Sequence, residues 1–189
     1  MTSTKDIINA SDEDLVVHTL KNKDFFAYLI ERYEAKLASY IKRISGFNKE
    51  DVQDILQNVF IKVYTNLNSF DKSLKFSSWI YRITHNEVIS LYRKNKNKNN
   101  IDIEDSVLQN IISDTEDIEK ILDTKEQIKN VKEALKDLDI KYKEVLVLRF
   151  VEDKSYDEIS DILKKPPGTV ATLINRAKLK LKEKLKDYE

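Results

Sequence analysis

The 189-residue chain has no cysteine, so it can form neither a disulfide nor a thiolate metal site. Histidine is nearly as scarce: His18 and His85 stand far apart, which leaves no zinc-ligand spacing and no histidine-based triad. With two glycines and two prolines the chain lacks the punctuation that a β-rich fold with many turns needs, and helix nearly throughout is expected. No apolar run is long enough to span a bilayer, and the opening MTSTKDIINASDEDL lacks the basic region and apolar core of a secretory signal. A soluble, cytoplasmic protein is expected. There is no glycine-rich phosphate loop, no metal-ligand cluster and no nucleophile with a partnered base, so neither catalysis nor any cofactor or metal is expected. Carboxylate pairs such as Asp71 with Asp102 arise by chance in so acidic a chain.

What the chain has is charge, and it is segregated. Lysine plus arginine (33) balance aspartate plus glutamate (33), yet residues 101–126 hold nine acids against two bases. Just before them, RKNKNKNN from Arg93 is basic, polar and low in complexity; it cannot bury enough apolar surface to offset its ordering entropy. The expected architecture is all-α. A helical bundle (residues 1–98) and a helix-turn-helix domain (residues 125–189) are joined by a flexible acidic linker (residues 99–124), with a short helical piece near residues 107–112.

In the first domain, Asp12 or Ser11 caps a helix whose inner face carries Leu15, Val16 and Leu20. A second helix follows Asp24 with Phe25, Phe26, Leu29, Tyr33, Leu37, Tyr40, Ile41 and Ile44 at helical period, and Gly46 ends it. A third, from Lys49 or Glu50 to Asn66, buries Val52, Ile55, Leu56, Val59, Phe60 and Val63. Its opposite face shows Asp51, Asp54, Gln57, Asn58, Ile61 and Lys62. Ile61, apolar among polar neighbours, suggests a binding face; an ordinary solvated face is the plainer alternative. Residues 68–78 read as a loop, and Ser77 or Ser78 as the cap of a helix running to about Arg93. Here Phe70, Phe76, Trp79, Tyr81 and Tyr92 interleave with Lys72, Lys75, Arg82, Arg93 and Lys94. Aromatic faces plus cations suit single-stranded nucleic acid, where stacking is worth ~1–3 kcal/mol per base. The alternative is that Trp79, Ile80 and Ile83 close the core.

The second domain ends in SYDEISDILKKPPGTVATLINRAKLKLKEKLK, residues 155–186. Ser155 with Glu158 makes a capping box, Tyr156, Ile159 and Leu163 recur at helical spacing, and Ser160 is small enough for close helix approach. Pro167 suits the first position of the next helix, where Val170, Ile174, Ala177 and Leu181 form one buried stripe. Thr172, Asn175, Arg176 and Lys178 on its other faces can reach phosphates or base edges. A solvated helical hairpin fits the spacing equally well. Charge favours nucleic acid: residues 164–186 carry eight bases and one acid, a field that attracts a polyanion.

Taken together, these segments resemble the sigma-70 family of bacterial RNA polymerase sigma factors, in its extracytoplasmic-function (ECF) group. The matching pieces are FFAYLIERYEAKLASYI from Phe25, EDVQDILQNVFIKVYTNL from Glu50 and FSSWIYRITHNEVISLYR from Phe76. In the second half they are ALKDLDIKYKEVLVLRFVEDKSYDEISDIL from Ala134 and GTVATLINRAKLKL from Gly168. The resemblance implies a promoter-specificity subunit that docks on core polymerase, at the β′ clamp and β flap, through Asp54, Gln57, Asn58, Phe60 and Ile61. It implies −10 non-template-strand contacts from Ser69, Phe70, Lys75, Phe76, Trp79, Arg82, Asn86 and Arg93. Contacts to the −35 duplex would come from Thr169, Ala171, Thr172, Leu173, Asn175, Arg176 and Lys178. Members of the group are often held inactive by an anti-sigma factor, and the acidic linker could mask the basic C-terminal helix.

The chain also departs from the family pattern. Ala171 and Leu173 stand where Lys and Arg are common, Lys164 replaces a usual Gly, Asn58 a frequent Glu and Ser90 a frequent Asp. Asp139 follows Leu138 in place of a frequent Pro and remains a sound helix cap. Two other readings remain. A conventional helix-turn-helix regulator would bind duplex operators as a dimer without polymerase. A helical adaptor binding only proteins would show no salt-dependent nucleic-acid affinity.

Overall fold

The computed structural model describes residues 10–94, 131, 133–135 and 137–185. The acidic tract, the helical piece expected near residues 107–112, the start of the second domain near Lys125 and the masking contact lie outside the described residues. The chain divides into two compact units, one drawn from residues 1–41 and 48–96, the other from residues 42–47 and 97–189. All regular structure among the described residues is helical.

The first unit comprises α1 (Asp12–Lys21), α2 (Phe26–Ser45) as far as residue 41, α3 (Lys49–Asn66) and α4 (Phe76–Lys94). Ser11 is the N-cap of α1, its Oγ accepting from the Asp14 amide at 3.1 Å. Leu15 and Val16 are buried as expected, but Leu20 is 41% exposed and Thr19 takes the inner position. Thr19 can do so because its hydroxyl donates to the Leu15 carbonyl at 2.7 Å, so burial leaves no polar group unpaired. Phe25 belongs to a 3₁₀ turn, Lys23–Phe25, ahead of α2. Leu29, Tyr33, Leu37, Tyr40 and Ile41 bury the α2 stripe, and Gly46 leaves the helix at φ 68°, a conformation open to glycine without penalty. On α3, Asn48 caps through the Asp51 amide at 2.8 Å, and Val52, Ile55, Leu56, Val59 and Val63 are buried. Phe60, expected inside, is only half-buried and meets Phe26 edge to face at 6.4 Å.

The start of α4 differs from expectation. Leu67–Ser69 form a 3₁₀ turn, and the helix begins at Phe76 rather than after Ser77 or Ser78. The Phe76 amide donates to Glu13 Oε1 of α1 at 2.8 Å. A carboxylate distant in sequence therefore does what a local serine was expected to do, and its negative charge suits a helix N-terminus. Ser78 is buried in the first turn, its Oγ unpaired among the described residues. Asp12 ties the same helix α1 to α2, accepting from Arg32 Nη1 at 2.8 Å and from the Tyr33 hydroxyl. Burial, then the Asp12 carboxylate, push the Tyr33 phenol well above its ordinary pKa.

The second unit comprises α5 (Ile140–Phe150), α6 (Tyr156–Leu163) and α7 (Pro167–Leu185), with α7 packed on both others. Asp139 caps α5 by accepting from the Lys141 amide at 3.1 Å. Its Val145, Leu146, Val147 and Leu148 are all buried, so α5 is the central helix of this core. Lys143 is buried with them, and that burial lowers its ammonium pKa to about 8. Ile159, Ile162 and Leu163 of α6 and Val170, Ile174, Ala177, Leu181 and Leu185 of α7 complete the core. Tyr156, placed in the α6 stripe by spacing, is 39% exposed, its ring facing the Arg149 guanidinium at 5.7 Å; Ile162 takes the inner place.

Candidate nucleic-acid interface

The α6–α7 pair is built by local signals. Ser155 and Glu158 form the expected capping box, with bonds of 3.2 and 2.9 Å, worth roughly 1 kcal/mol in helix stability. Lys164 then takes the left-handed conformation at φ 53° and ψ 46°, where a glycine would carry no Cβ penalty. The turn is fastened from both sides: Ser160 Oγ donates to the Lys165 carbonyl at 2.5 Å, and the Lys165 amide to the Ser160 carbonyl at 3.2 Å. Ser160 is thus a latch on the turn as well as a small residue. Pro167 is the first residue of α7, as expected.

With Val170, Ile174, Ala177 and Leu181 facing inward, the rest of α7 is available to a ligand. Thr169, Thr172, Asn175 and Arg176 are exposed, while Ala171 and Leu173 are half-buried. Thr172 Oγ1 donates to the Gly168 carbonyl at 2.8 Å, leaving its lone pairs as acceptors. Lys178 is half-buried, its ammonium 5.2 Å from the Phe150 ring centre, so it is anchored on the helix flank. The convex, donor-rich face suits the major groove of a duplex.

The first unit offers a different surface. Phe70 and Phe76, expected to face a nucleic-acid strand, are buried at 6% and 0% exposure. Phe76 lies 5.6 Å from the Tyr33 ring, 5.5 Å from Phe70 and 5.7 Å from Trp79. Both rings are spent on the aromatic cluster at the start of α4, which leaves them little free face for stacking. Trp79 is also largely buried but keeps one edge in a cavity of about 300 Å³ between α3 and α4. Trp79 and Ile83 form its apolar wall. Lys62, Asn66, Ser69, Asn86 and Glu87 supply its polar lining. The expected residues Ser69, Trp79 and Asn86 are therefore brought together, with Arg82 half-buried and Arg93 exposed along the same helix, and Lys75 exposed just before it.

Asn66 and Glu87 were missed as site residues by the sequence reading, Ile83 was read there only as a core candidate, and Lys62 was placed on another surface. Lys62 and Asn66 are one turn apart on α3, a spacing that was available; their meeting with α4 depends on helix packing that no local pattern states. Lys62 Nζ is ion-paired with Glu87 Oε1 across the cavity. In the loop before α4, Asp71 Oδ1 accepts from the Ser73 amide at 2.9 Å and hydroxyl at 2.8 Å, and these bonds lower its carboxyl pKa.

A third surface lies on α3. Asp54, Gln57, Asn58 and Ile61 share one exposed face, with Ile61 54% accessible. Half-buried Phe60 and exposed Tyr64 extend it through the Phe26 ring, at 6.4 and 5.1 Å. Tyr64 and Phe26 join this apolar patch without having been assigned to it from sequence. No cluster that could hold a metal ion and no helix apolar enough to cross a membrane occurs among the described residues.

Comparison with known proteins agrees with the two-unit layout. Residues 29–98 match the family model of sigma-70 region 2, and residues 128–181 that of sigma-70 region 4. The ECF RNA polymerase sigma factor SigW of Bacillus subtilis is 33% identical over 172 residues, covering 88% of this chain and 91% of that protein. The ECF sigma-E factor of Haemophilus influenzae is 30% identical, covering 87% of this chain and 89% of that protein. Among solved structures, CnrH in complex with the cytosolic domain of CnrY superposes with a TM-score of 0.68 at 23% identity, over 95% of this chain and all of that one. The sigma factor RpoE bound to the anti-sigma factor NepR, from Bartonella quintana, gives 0.60 at 19% identity over 85% of this chain and 96% of that one. Two region models in order and relatives at 30–33% identity along nearly the whole chain settle the assignment: this protein belongs to the ECF group of sigma-70 RNA polymerase sigma factors.

Proposed function

We propose that this sigma factor directs core RNA polymerase to promoters with three separate surfaces and no catalysis of its own, acting in the cytoplasm. The α3 face of Asp54, Gln57, Asn58, Phe60 and Ile61, widened by Tyr64, docks on the polymerase clamp. The cavity beside Trp79 receives a base of the −10 non-template strand, with Ser69, Lys75, Arg82, Asn86 and Arg93 holding the strand around it. The exposed face of α7, from Thr169 to Lys178, reads the −35 duplex. The domains divide as residues 1–98 and 125–189, with residues 99–124 as the tether.

The observation that carries this reading is the cavity itself. A duplex reader needs only a convex face such as α7. A recess of about 300 Å³ with one tryptophan edge and a polar rim is suited to an unstacked base. Stacking and hydrogen bonds gained there, ~1–3 kcal/mol per base, offset part of the few kcal/mol that extrusion takes. Strand opening is then driven by binding energy, without nucleotide hydrolysis. The solved relatives captured with CnrY and NepR support a further partner, a protein anti-sigma factor that withholds the chain from polymerase.

Run-off transcription on a promoter pool, with and without this chain added to core polymerase, tests the reading. Promoter-specific initiation should appear only with the chain present. Replacing Gln57 and Phe60 should lower affinity for core on every promoter; retention of full affinity would reject the docking face.

A further inference from the structure

Residues 71–75 are exposed between two buried rings, Phe70 and Phe76, which pack on each other at 5.5 Å. Within this loop the Leu74 amide donates to the Asp71 carbonyl at 3.0 Å, and Asp71 Oδ1 holds Ser73. Where the loop runs into α4, the local chemistry is unfavourable. The first turn of α4 holds no acid, and the residue before it is Lys75, whose ammonium can only donate and is repelled by a helix N-terminus. The acceptor comes instead from α1: Glu13 Oε1 takes the Phe76 amide at 2.8 Å. Its neighbour Asp12 is tied to α2 through Arg32 Nη1 at 2.8 Å and the Tyr33 hydroxyl, and the Tyr33 ring meets Phe76 at 5.6 Å. Two adjacent carboxylates thus clasp α2 and α4 to one helix. That helix, α1, lies ahead of the residues matched to region 2.

We propose that Glu13 is a positioning residue for promoter opening: by capping α4 from α1, it sets where the exposed loop 71–75 and Trp79 stand against the separated strand. This rests on the single-strand capture proposed above. Trp79 is mounted on the turn that Glu13 caps, its amide donating to the Lys75 carbonyl at 3.3 Å. A helix end frays at little cost, and a frayed first turn carries Lys75 and Trp79 out of register with the strand. A capping carboxylate opposes fraying twice. It accepts from an amide that has no partner within the helix, and it places negative charge at the positive end of the helix. The surface proposed to dock on core polymerase stands apart from this clasp, on the exposed face of α3, and α7 belongs to the other unit. Loss of Glu13 therefore acts on opening and spares the other two surfaces.

On a promoter found by run-off transcription, permanganate reactivity of thymines in the opened region would follow opening by holoenzyme carrying the unaltered chain, Glu13→Gln or Glu13→Ala. Glu13→Ala removes both the acceptor and the charge and should slow opening about fivefold. Glu13→Gln keeps an acceptor for the Phe76 amide and should slow it only about twofold. Affinity for core polymerase and for a −35 duplex, each read by fluorescence anisotropy, should stay within about twofold of the unaltered chain in both variants. Opening at an unchanged rate in Glu13→Ala would overturn the inference and leave strand capture intact. Core affinity falling in step with opening would also overturn it, since that marks a cap that merely stabilises the first unit. Failure of the unaltered holoenzyme to bind a single-stranded −10 oligonucleotide would remove the capture reading and this inference with it.

Discussion

The two surfaces proposed to bind nucleic acid are made in opposite ways. On α7 the surface is the helix itself: one stripe is spent on the core, and what remains faces outward. The cavity of the first unit belongs to no single element. Lys62 and Asn66 come from α3, Ser69 from the turn after it, Trp79 and Glu87 from α4, and Glu13 of α1 holds the start of α4 in place. A convex reader can be assembled from local rules, whereas a concave one is a product of tertiary packing. The first should tolerate damage to distant core residues, and the second should not.

The largest expected effect breaks the comparison on its weak side. Phe76 is fully buried among Tyr33, Phe70 and Trp79, and Phe76→Ala should cost about 3–5 kcal/mol of stability in the first unit. Denaturation followed by circular dichroism should show one early transition, and single-strand binding should vanish while duplex binding by α7 survives. Duplex binding lost in parallel would mean that the two surfaces do not depend on separate cores.

The second unit has a weak point of a different kind. Burial lowers the Lys143 ammonium pKa from its ordinary 10.5 to about 8, only partly countered by Asp137 and Asp139. Between these values the unfolded chain binds more protons than the folded one, so stability should rise as pH climbs from about 8 towards 10.5. The difference corresponds to an order of a few kcal/mol. Lys143→Met should raise stability at neutral pH and flatten that slope, as read from urea midpoints across the pH range. A slope unchanged in the variant would place its origin elsewhere.

A smaller effect separates the two surfaces directly. Arg176 is exposed on α7, and Arg176→Ala should weaken duplex promoter binding by about 1–3 kcal/mol if it reads a base edge. If it touches a phosphate, the loss should instead be uniform across sequences with a shallower salt dependence. Single-strand affinity should be unchanged in both cases, and a parallel fall would merge the two surfaces into one.

The same contrast explains what the sequence made legible. The α7 stripe, the capping box and the proline start follow from residues within a turn or two of each other, and all stand where spacing put them. On α3, too, the exposed face was readable from period alone. The errors cluster where a distant partner decides. Ser77 and Ser78 had the chemistry of a cap, but Glu13 supplies it. Thr19 displaced Leu20 because a bond within its own helix made a threonine as buriable as an apolar residue. Phe70 and Phe76 sit in an aromatic-basic segment that composition alone reads as ligand-facing. Which ring faces inward is fixed by Tyr33 on another helix. Glu87 carried no local signal, since its place beside the cavity depends on an ion pair with a lysine on the preceding helix.

The smallest expected effect sharpens the claim that α7 is locally built. Lys164 closes α6 at φ 53°, a region in which a Cβ crowds the following carbonyl and which glycine enters freely. Its side chain is exposed, so removing it uncovers no core. Lys164→Gly relieves the left-handed strain, yet glycine also widens the unfolded ensemble, and the two effects oppose each other. Relief should prevail by about 0.5–1 kcal/mol, because the turn remains fastened by the two Ser160–Lys165 bonds, both made through backbone atoms of residue 165. The urea midpoint of the second unit should rise while that of the first stays fixed. A fall would mean that the lysine side chain contributes more to this turn than its exposed position accounts for, and that the turn is not set by backbone geometry alone.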